Sequence, residues 1–328
     1  MNSDEPSEKR RLGRAAHELL GGSYSHAKHE VEIGHVTVNG KVVADPGAWV
    51  SPSDRVRHNP SLPRRTPPPK VPPIEVLHAD ADVVVVVKPA RLVVHPTLEA
   101  EDDTVITRTV AELARREGNP GRVLVVHRID RDTSGVMVLA RNQRAAKHLN
   151  MQFKAHTVER RYLAFLRGDF SAAREVDRGI GRPRPGARRA ALGEGRGREA
   201  RTHLRPVERF GVATLVEAEL DTGRTHQVRV HASWLGHPVL GDTVYGEREK
   251  PPVPVPRLAL HAAHLGFVHP SSGQRLSFEA PLPGDLKAVA RALRRRSRVP
   301  APAAPEPAPA RGRARRSSQP TVRRSRRE

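Results

Sequence analysis

The stretch VLVVHRIDRDTSGVMVLA, residues 123–140, decides how this chain is interpreted. It begins and ends in apolar runs that are typical of buried strands, at 123–126 and at 136–140. The segment between them, 127–135, is mostly polar and holds two aspartates and two arginines. A short polar loop that is anchored by a strand at each end is a common place for catalytic side chains. This loop is therefore the first candidate for a functional site.

Asp130 lies in the middle of the loop, between Arg128 and Arg131. Two neighbouring cations favour the ionised form of a carboxyl group, so Asp130 could act as a nucleophile or as a base. An ordinary turn cap or ion pair is the alternative. Asp130 and Asp132 could also be half of a metal site, but no nearby Glu or His completes a ligand set. We therefore predict no metal.

A second candidate segment is GRTHQVRVH, residues 223–231. Its apolar spacing predicts a helix over 225–235, with Arg229 one turn from the start of that helix. Arg224, Arg229 and the positive end of the helix dipole suit an anion, either a phosphate or a protein carboxylate such as Asp130. A basic helix on a surface that faces RNA fits the segment equally well.

A third candidate is Tyr162, within RRYLAFLRG at residues 160–168. The segment predicts a strand, and Tyr162 is one of only three tyrosines in the chain. The side chain could be part of the core, could stack on a base or could handle a proton. The residue type alone does not choose among these roles.

The net charge of the chain indicates what kind of molecule it binds. The 328 residues carry a formal net charge of +21, which favours a polyanion and above all nucleic acid. Residues 291–328 contain 13 arginines and two glutamates, yet the rest of the chain is strongly basic as well.

There is no cysteine, which excludes disulfides, thiolate metal sites and thiol nucleophiles. The N-terminal residues lack the apolar segment of a signal peptide, and no apolar run is long enough for a membrane span. We expect a soluble cytoplasmic protein without a membrane partner.

Composition divides the chain into four parts. We predict a small domain at 10–57, a proline-rich linker at 58–73, a larger domain at 74–296 and a disordered basic tail at 297–328. Strands outnumber helices in the third part, which predicts an α+β fold with a mixed, mainly antiparallel sheet and flanking helices. Within it, the Gly/Arg-rich stretch 178–200 is expected to be an exposed insertion.

The first part is expected to be a compact module of two helices and a hairpin. Apolar residues at helical spacing predict a helix over 12–20, and Ser25 is the expected cap of a second helix that ends at Gly34. Asn39 and Gly40 predict a tight turn between two short strands.

Several motifs together resemble the RluA family of pseudouridine synthases, in order and over about residues 74–285. They are KPA (88–90), VVHP (93–96), HRID with TSG after it (127–135), RRYLA (160–164), GRTHQVRVH (223–231), HPVLGD (237–242) and RLALH (257–261). The N-terminal part resembles an S4 RNA-binding domain through VTVNGKV (36–42) and VSPSDRV (50–56). One departure is Arg91, which stands where the family usually has glycine, so we expect the local loop to differ in shape.

The resemblance implies an isomerase that converts a uridine in RNA, most often large-subunit ribosomal RNA, to pseudouridine. It assigns the essential carboxylate to Asp130, an ion pair with Asp130 to Arg229, and stacking or proton transfer to Tyr162. It implies RNA contacts by Arg128, Arg131 and Arg224 and by two further residues, Lys88 and His127. It implies no cofactor, and we expect a monomer.

Three alternatives stay open from the sequence. The protein could be a non-catalytic RNA-binding or ribosome-assembly factor. Its substrate could be transfer RNA rather than ribosomal RNA. It could also hydrolyse a glycosidic bond, which normally needs a second carboxylate, and Asp132 is the only near candidate.

Overall fold

The computed structural model describes residues 9–62, 71–95, 103–118, 121–184, 186–193, 195–246 and 250–298. In these ranges the helices are α1 (Leu12–Leu20), α2 (Tyr24–Glu32), α3 (Val105–Glu117), α4 (Gln143–Lys154), α5 (Gln227–Trp234) and α6 (Gly284–Arg298). The strands are β1 (Arg10–Arg11), β2 (Val36–Val38), β3 (Lys41–Val42), β4 (Trp49–Val50), β5 (Val56–His58), β6 (Glu75–Ala79), β7 (Val83–Lys88), β8 (Leu124–Val125), β9 (Ser134–Ala140), β10 (Glu159–Arg167), β11 (Arg174–Asp177), β12 (Ile180–Gly181), β13 (Ala190–Ala191), β14 (Arg201–Arg209), β15 (Ala213–Leu220), β16 (Leu260–Val268) and β17 (Arg275–Glu279).

Residues 10–58 form an N-terminal unit with an apolar core of its own. The sheet β3-β2-β5 and the short ladder β1-β4 accompany α1 and α2. Asn39 and Gly40 both have positive φ, at 54° and 82°, as a two-residue hairpin turn requires. The expected helix cap at Ser25 is wrong: Ser23 caps α2, because its side chain accepts a hydrogen bond from the backbone amide of His26.

The large unit, residues 74–298, is built on one sheet of ten strands. Eight of them lie in the order β11-β14-β15-β10-β16-β9-β7-β6, while β17 pairs with β16 and β8 with β9. Every pairing is antiparallel except the one between β16 and β9, which is parallel. The predicted α+β class with a mixed, mainly antiparallel sheet is therefore confirmed.

The strands β7 and β9 are apolar on both faces because a helix covers each face. Val83, Val85 and Val138 pack with the apolar residues of α4. The alternate residues of these strands, such as Val84 and Val86, pack with α3 on the opposite face of the sheet. Alternate side chains of a strand point to opposite faces, so a continuous apolar run is expected for a sheet that is covered twice.

Gly135 permits the parallel contact between β9 and β16. Its φ is +127°, and a Cβ atom at this position would lie 2.1 Å from the carbonyl oxygen of Ala262. A side chain is incompatible with both the conformation and the space. This glycine lies five residues after Asp130, so the strand that follows the candidate catalytic loop is placed by a close backbone approach.

The stretch 178–200, expected to be an exposed insertion, is mostly exposed or half-buried in its described residues, but part of it is packed on the core. The segment contains the two-stranded ladder β12-β13, and Ile180 and Ala200 are buried against Val230 of α5. The packing fastens this segment to the helix that carries Arg229.

Two predicted segments fall mainly outside the described residues. Of the predicted linker, 63–70 are not described, and His58 at its start is the last residue of β5. Of the predicted tail, 299–328 are not described, and α6 ends at Arg298. Within the described ranges no helix is both long and apolar enough to cross a membrane.

Candidate active site

A cavity of about 560 Å³ lies in the large unit, beside the loop that follows β8. This volume falls in the usual range for pockets that bind small ligands. Its wall consists of the loop residues 126–130, Tyr162 of β10, the turn 223–226 and the start of α5. Three segments that are far apart in the sequence therefore meet at one place.

Asp130 and Arg229 form an ion pair in this cavity. The Arg229 guanidinium donates a hydrogen bond of 3.1 Å to Oδ2 of Asp130. The Asp130 side chain is 21% exposed and that of Arg229 9% exposed, so the carboxylate faces the cavity while its partner lies deeper. A hydrogen bond from a fixed cation limits the rotation of the carboxylate.

Asp242 holds Arg229 from the other side. The Nε and Nη2 atoms of Arg229 donate to the two oxygens of Asp242, at 2.7 and 2.9 Å. The backbone amides of Val244 and Tyr245 donate to the same carboxylate, whose side chain is fully buried. Burial would raise the pKa of Asp242, but the hydrogen bonds from Arg229 and from the backbone outweigh it, and the pKa is lowered. Arg229 is thus fixed by a bidentate pair, with one remaining nitrogen for Asp130.

The helix α5 starts at Gln227, two residues later than predicted, because His226 adopts a left-handed conformation with φ +61°. Thr225 therefore lies in the preceding turn. The non-helical His226 turns its ring toward Asp130, with Nε2 at 3.8 Å from Oδ1. Its Nδ1 atom is 2.9 Å from the Tyr245 hydroxyl, and burial lowers the pKa of His226. This histidine is a site residue that the sequence reasoning missed.

Tyr162 lies on β10 at the cavity wall and contacts two of the apolar clusters. Burial raises its pKa to about 12, so the side chain is a neutral phenol near pH 7. Arg160, two residues earlier and on the same wall, is also buried; it donates to the backbone carbonyls of Leu220 and Asp221. Its Nε atom has no hydrogen-bond partner among the described residues.

Lys88 was predicted to contact RNA, but it has no exposed surface for such a contact. The side chain is completely buried, and Nζ donates to the carbonyls of Pro89, Leu92 and Arg131. Burial lowers its pKa to about 7. Lys88 instead ties the end of β7 to the loop that carries Asp130, which is a structural function.

His127, which was also predicted to contact RNA, is half-buried on the cavity wall. Its ring stacks on Phe153 with the centroids 4.5 Å apart, and Nε2 accepts a hydrogen bond from the amide of Val138. Burial lowers its pKa to about 3, so the ring is neutral. It therefore offers no charge to a phosphate, although it forms part of the cavity wall.

The three arginines that were predicted to bind RNA lie at or near the cavity. Arg128 is exposed on its wall, and Arg224, also on the wall, donates to the carbonyl of Glu199. Arg131 is exposed outside the cavity, 3.4 Å from Asp132. All three positions are open to a polyanion, and their contact with RNA stays a prediction.

Arg91 keeps the backbone conformation that a glycine would adopt. Its φ is +65°, and its guanidinium donates to the carbonyl of Pro256 at 2.7 Å. The loop therefore accommodates arginine by accepting a left-handed conformation, which most side chains disfavour.

The cavity offers one carboxylate, that of Asp130, among the described residues that line it. Asp132 does not line the cavity, and both oxygens of Asp242 are bound to Arg229. A hydrolase that works through two carboxylates is therefore not supported by this geometry.

A second cluster of ionisable groups lies in the N-terminal unit. Glu30 accepts hydrogen bonds from Nδ1 of His35 and Nε2 of His58, at 2.8 and 2.7 Å, and the hydrogen bond to His58 contributes most to the lowered pKa of Glu30. The three side chains are close enough to share a metal ion. However, Nε2 of His35 is buried without a partner, whereas a metal-ligating histidine usually donates its second N–H. The cluster is better described as two histidines on one carboxylate.

Comparisons with known proteins agree with this fold. A family model described as RNA pseudouridylate synthase matches residues 82–234, which include β7, Asp130, Tyr162 and Arg229. The large unit is thus the core of a pseudouridine synthase.

Two relatives match nearly the whole chain. "Ribosomal large subunit pseudouridine synthase D" of Zymomonas mobilis is 38% identical over 296 residues, which cover 86% of this chain and 93% of that protein. An "Uncharacterized RNA pseudouridine synthase" of Bacillus subtilis is 37% identical over 277 residues, 83% and 90% of the two chains. The solved structure of "Human RNA Pseudouridylate Synthase Domain Containing 1" is 27% identical with a TM-score of 0.53, and the match covers 67% of this chain and 94% of that one. The chain belongs to the RluA family of RNA pseudouridine synthases, which are isomerases.

Proposed function

We propose that the protein isomerises uridines of large-subunit ribosomal RNA, with Asp130 as the essential carboxylate. The observation that carries this proposal is the carboxylate of Asp130, which alone among the described carboxylates lines the cavity and is held by Arg229. The relative from Zymomonas mobilis is named as a synthase of the large ribosomal subunit, which favours ribosomal RNA over transfer RNA.

The reaction rearranges one nucleotide without a second substrate. The N1–C1′ bond of the uridine breaks and a C5–C1′ bond forms, C5 releases its proton and N1 takes one up. Oxidation states and composition are unchanged, so the proposed reaction needs no cofactor. The target base must leave the stack of the folded RNA before it enters the cavity, which costs a few kcal/mol.

The site residues have separate proposed roles. Asp130 faces the cavity and would act on the bound uridine, at its sugar or at its base. Arg229 holds that carboxylate in place, and Asp242 holds Arg229. Tyr162 is a neutral phenol on the wall, so it would stack on the base and offer its hydroxyl rather than a phenolate.

RNA would be held by positive charge around the cavity. Arg128 and Arg224 lie on its wall and Arg131 lies beside it, so these side chains would contact phosphates near the target. The predicted basic tail, which lies outside the described residues, would add contacts without sequence preference.

The N-terminal unit is proposed to be an S4-like RNA-binding domain. Arg11 stacks on Trp49 with its guanidinium carbon 3.8 Å from the ring centroid, and Trp49 is 58% exposed. Arg10 and Arg14 are exposed nearby in the sequence. An exposed aromatic ring beside several arginines is suited to a base and its phosphates.

The protein is proposed to act as a monomer, because one chain supplies every residue of the site described above. The proposed compartment is the cytoplasm, where bacterial ribosomal RNA is made.

Asp130→Asn tests the proposal, because it keeps the shape of the side chain and removes its charge. On a large-subunit RNA transcript that carries [5-³H]uridine, the variant should bind RNA normally and release tritium at least about 1,000-fold more slowly than the wild type. Asp132→Asn is the matched control, since Asp132 is partly exposed and does not line the cavity. Rapid tritium release by Asp130→Asn would refute the assignment.

A further inference from the structure

A second pocket lies beside α5, next to the candidate active site. Its volume is about 740 Å³, and it is open to solvent. One wall is the exposed end of α5 with Ser233 and Trp234, and the opposite wall is formed by residues 183, 184 and 187–191. The ladder β12-β13, which is packed on α5 through Ile180 and Val230, holds this segment against the helix.

The side chains of this pocket are cationic and aromatic. Arg184, Arg188 and Arg189 line it, and no carboxylate does so among the described residues. Trp234 is 49% exposed although it is a large apolar side chain, and the guanidinium of Arg178 lies 5.2 Å from its ring centroid. A flat exposed ring surrounded by guanidinium groups is suited to a nucleobase and its phosphate.

Arg188 has a contact that shapes the pocket. Its guanidinium donates to the carbonyl of Val244 and so connects the segment 183–191 to the turn that follows Asp242. The side chains of Arg184 and Arg189 form no hydrogen bond or ion pair with other residues in the described part of the chain. Two guanidinium groups therefore remain available to a ligand.

Tyr245 separates this pocket from the active site. It lines the second pocket, while its hydroxyl is 2.9 Å from His226, whose other ring nitrogen is 3.8 Å from Asp130. Its ring also lies 5.1 Å from the Arg229 guanidinium. One aromatic side chain thus forms the partition between the two cavities.

We propose that this pocket is a subsite for the RNA nucleotide adjacent to the target uridine, with its base on Trp234 and its phosphate on Arg184 and Arg189. The proposal rests on the proposed function, because a neighbouring nucleotide exists only if the substrate is RNA. When the target uridine flips into the active site, the adjacent nucleotide on the RNA strand loses a stacking partner. The ring of Trp234 in the second pocket would take the place of that partner.

Steady-state kinetics test the subsite. With a large-subunit ribosomal RNA transcript that carries [5-³H]uridine, Trp234→Ala should raise KM about ten-fold, the effect of losing one base–aromatic stack, while kcat falls by no more than about two-fold. Trp234→Phe, which keeps a ring, should restore most of the affinity. Val207→Ala is the matched control, because Val207 is 50% exposed on β14 and lines neither cavity.

Fluorescence gives an independent readout, because the chain has only two tryptophans. In Trp49→Phe, all tryptophan emission comes from Trp234, and the same transcript should quench it with the concentration dependence of RNA binding. Equal quenching by uridine monophosphate alone would identify a site for free nucleotides and overturn the proposal.

The two proposals fail in different ways. If the wild type releases tritium but Trp234→Ala has the KM of the control, the subsite is wrong and the isomerase stands. If the wild type releases no tritium from any ribosomal transcript, the proposed function is wrong, and emission from Trp234 still shows whether RNA occupies the pocket.

Discussion

The pair between Arg229 and Asp242 makes a quantitative prediction, because it lies behind Asp130, the proposed catalytic carboxylate. Asp242→Asn keeps the size of the side chain and removes its charge. Its single carbonyl oxygen can still accept from the amides of Val244 and Tyr245, which now bond to Oδ1. The new amide nitrogen then faces Nε of Arg229, so two donors oppose each other where a 2.7 Å hydrogen bond existed.

The expected loss of stability follows from burial. Breaking a buried ion pair by removing one partner costs about 3–5 kcal/mol. Asp130 remains within 3.1 Å of Arg229 as a second counter-ion, so we expect the lower end of this range, about 3 kcal/mol. For a unit of this size, that loss lowers Tm by about 6–12 °C.

The expected loss of activity has a different cause. An Arg229 side chain that has lost its bidentate partner will shift toward Asp130 and reorient the carboxylate. Misplacement of a catalytic group by about 1 Å costs on the order of 100-fold in rate, so kcat should fall 10- to 100-fold, with KM unchanged within about three-fold. The assay is tritium release at saturating RNA, at a temperature at which circular dichroism shows the variant to be folded.

Asp285→Asn is the matched control. Asp285 accepts hydrogen bonds of 2.6 and 3.1 Å from Arg257, a buried arginine that does not line the active-site cavity. This variant should lose stability and keep its kcat. A folded Asp242→Asn enzyme with wild-type kcat would show that Asp242 has no part in positioning Arg229 and Asp130.

Two further predictions concern Lys88, the last residue of β7, and Arg91, three residues later. Burial lowers the pKa of Lys88 to about 7, whereas a lysine in an unfolded chain has a pKa of about 10.4. Between about pH 7 and about pH 10.4 the unfolded state therefore binds one more proton than the folded state, and the free energy of unfolding rises with pH. Urea titrations at pH 7.5 and 9.5 should show the wild type gaining about 2 kcal/mol relative to Lys88→Met, and a constant difference would contradict the burial of an ionisable amine. Arg91→Ala should be about 1 kcal/mol less stable than Arg91→Gly, since both lose the hydrogen bond to Pro256 and only glycine relieves the left-handed conformation. Equal thermal unfolding of these two variants would mean that the conformation carries no strain.

Local pattern was sufficient for much of the fold. The apolar run 136–140 correctly predicted a central strand, and Asn39 with Gly40 predicted the hairpin turn. These features depend on neighbours in the sequence, so they can be inferred without knowledge of the tertiary structure.

The site was less accessible from the sequence, because its contacts join distant segments. Nothing local shows that Lys88 is buried, since lysine is rarely found inside a protein without a partner. The start of α5 depends on the left-handed conformation of His226, which propensity does not indicate. In the sequence, Asp242 is only the last residue of the motif HPVLGD. Its role as the counter-ion of Arg229 cannot be inferred without knowing that Arg229 is buried.

The parallel pairing of β9 with β16 also governs the order in which the enzyme can assemble. Its register joins Ser134 to His261, and these residues are 127 positions apart. Contacts of such long sequence separation form late, because a large loop must close before they form. Asp130 lies before β9, which is on one side of β16 in the sheet. On the other side of β16 lies β10, which belongs to the half of the sheet that leads to Arg229. During synthesis, the two halves of the active site can therefore meet only after β16 has emerged, and nascent chains that stop before it should be inert toward the RNA of the ribosome that makes them.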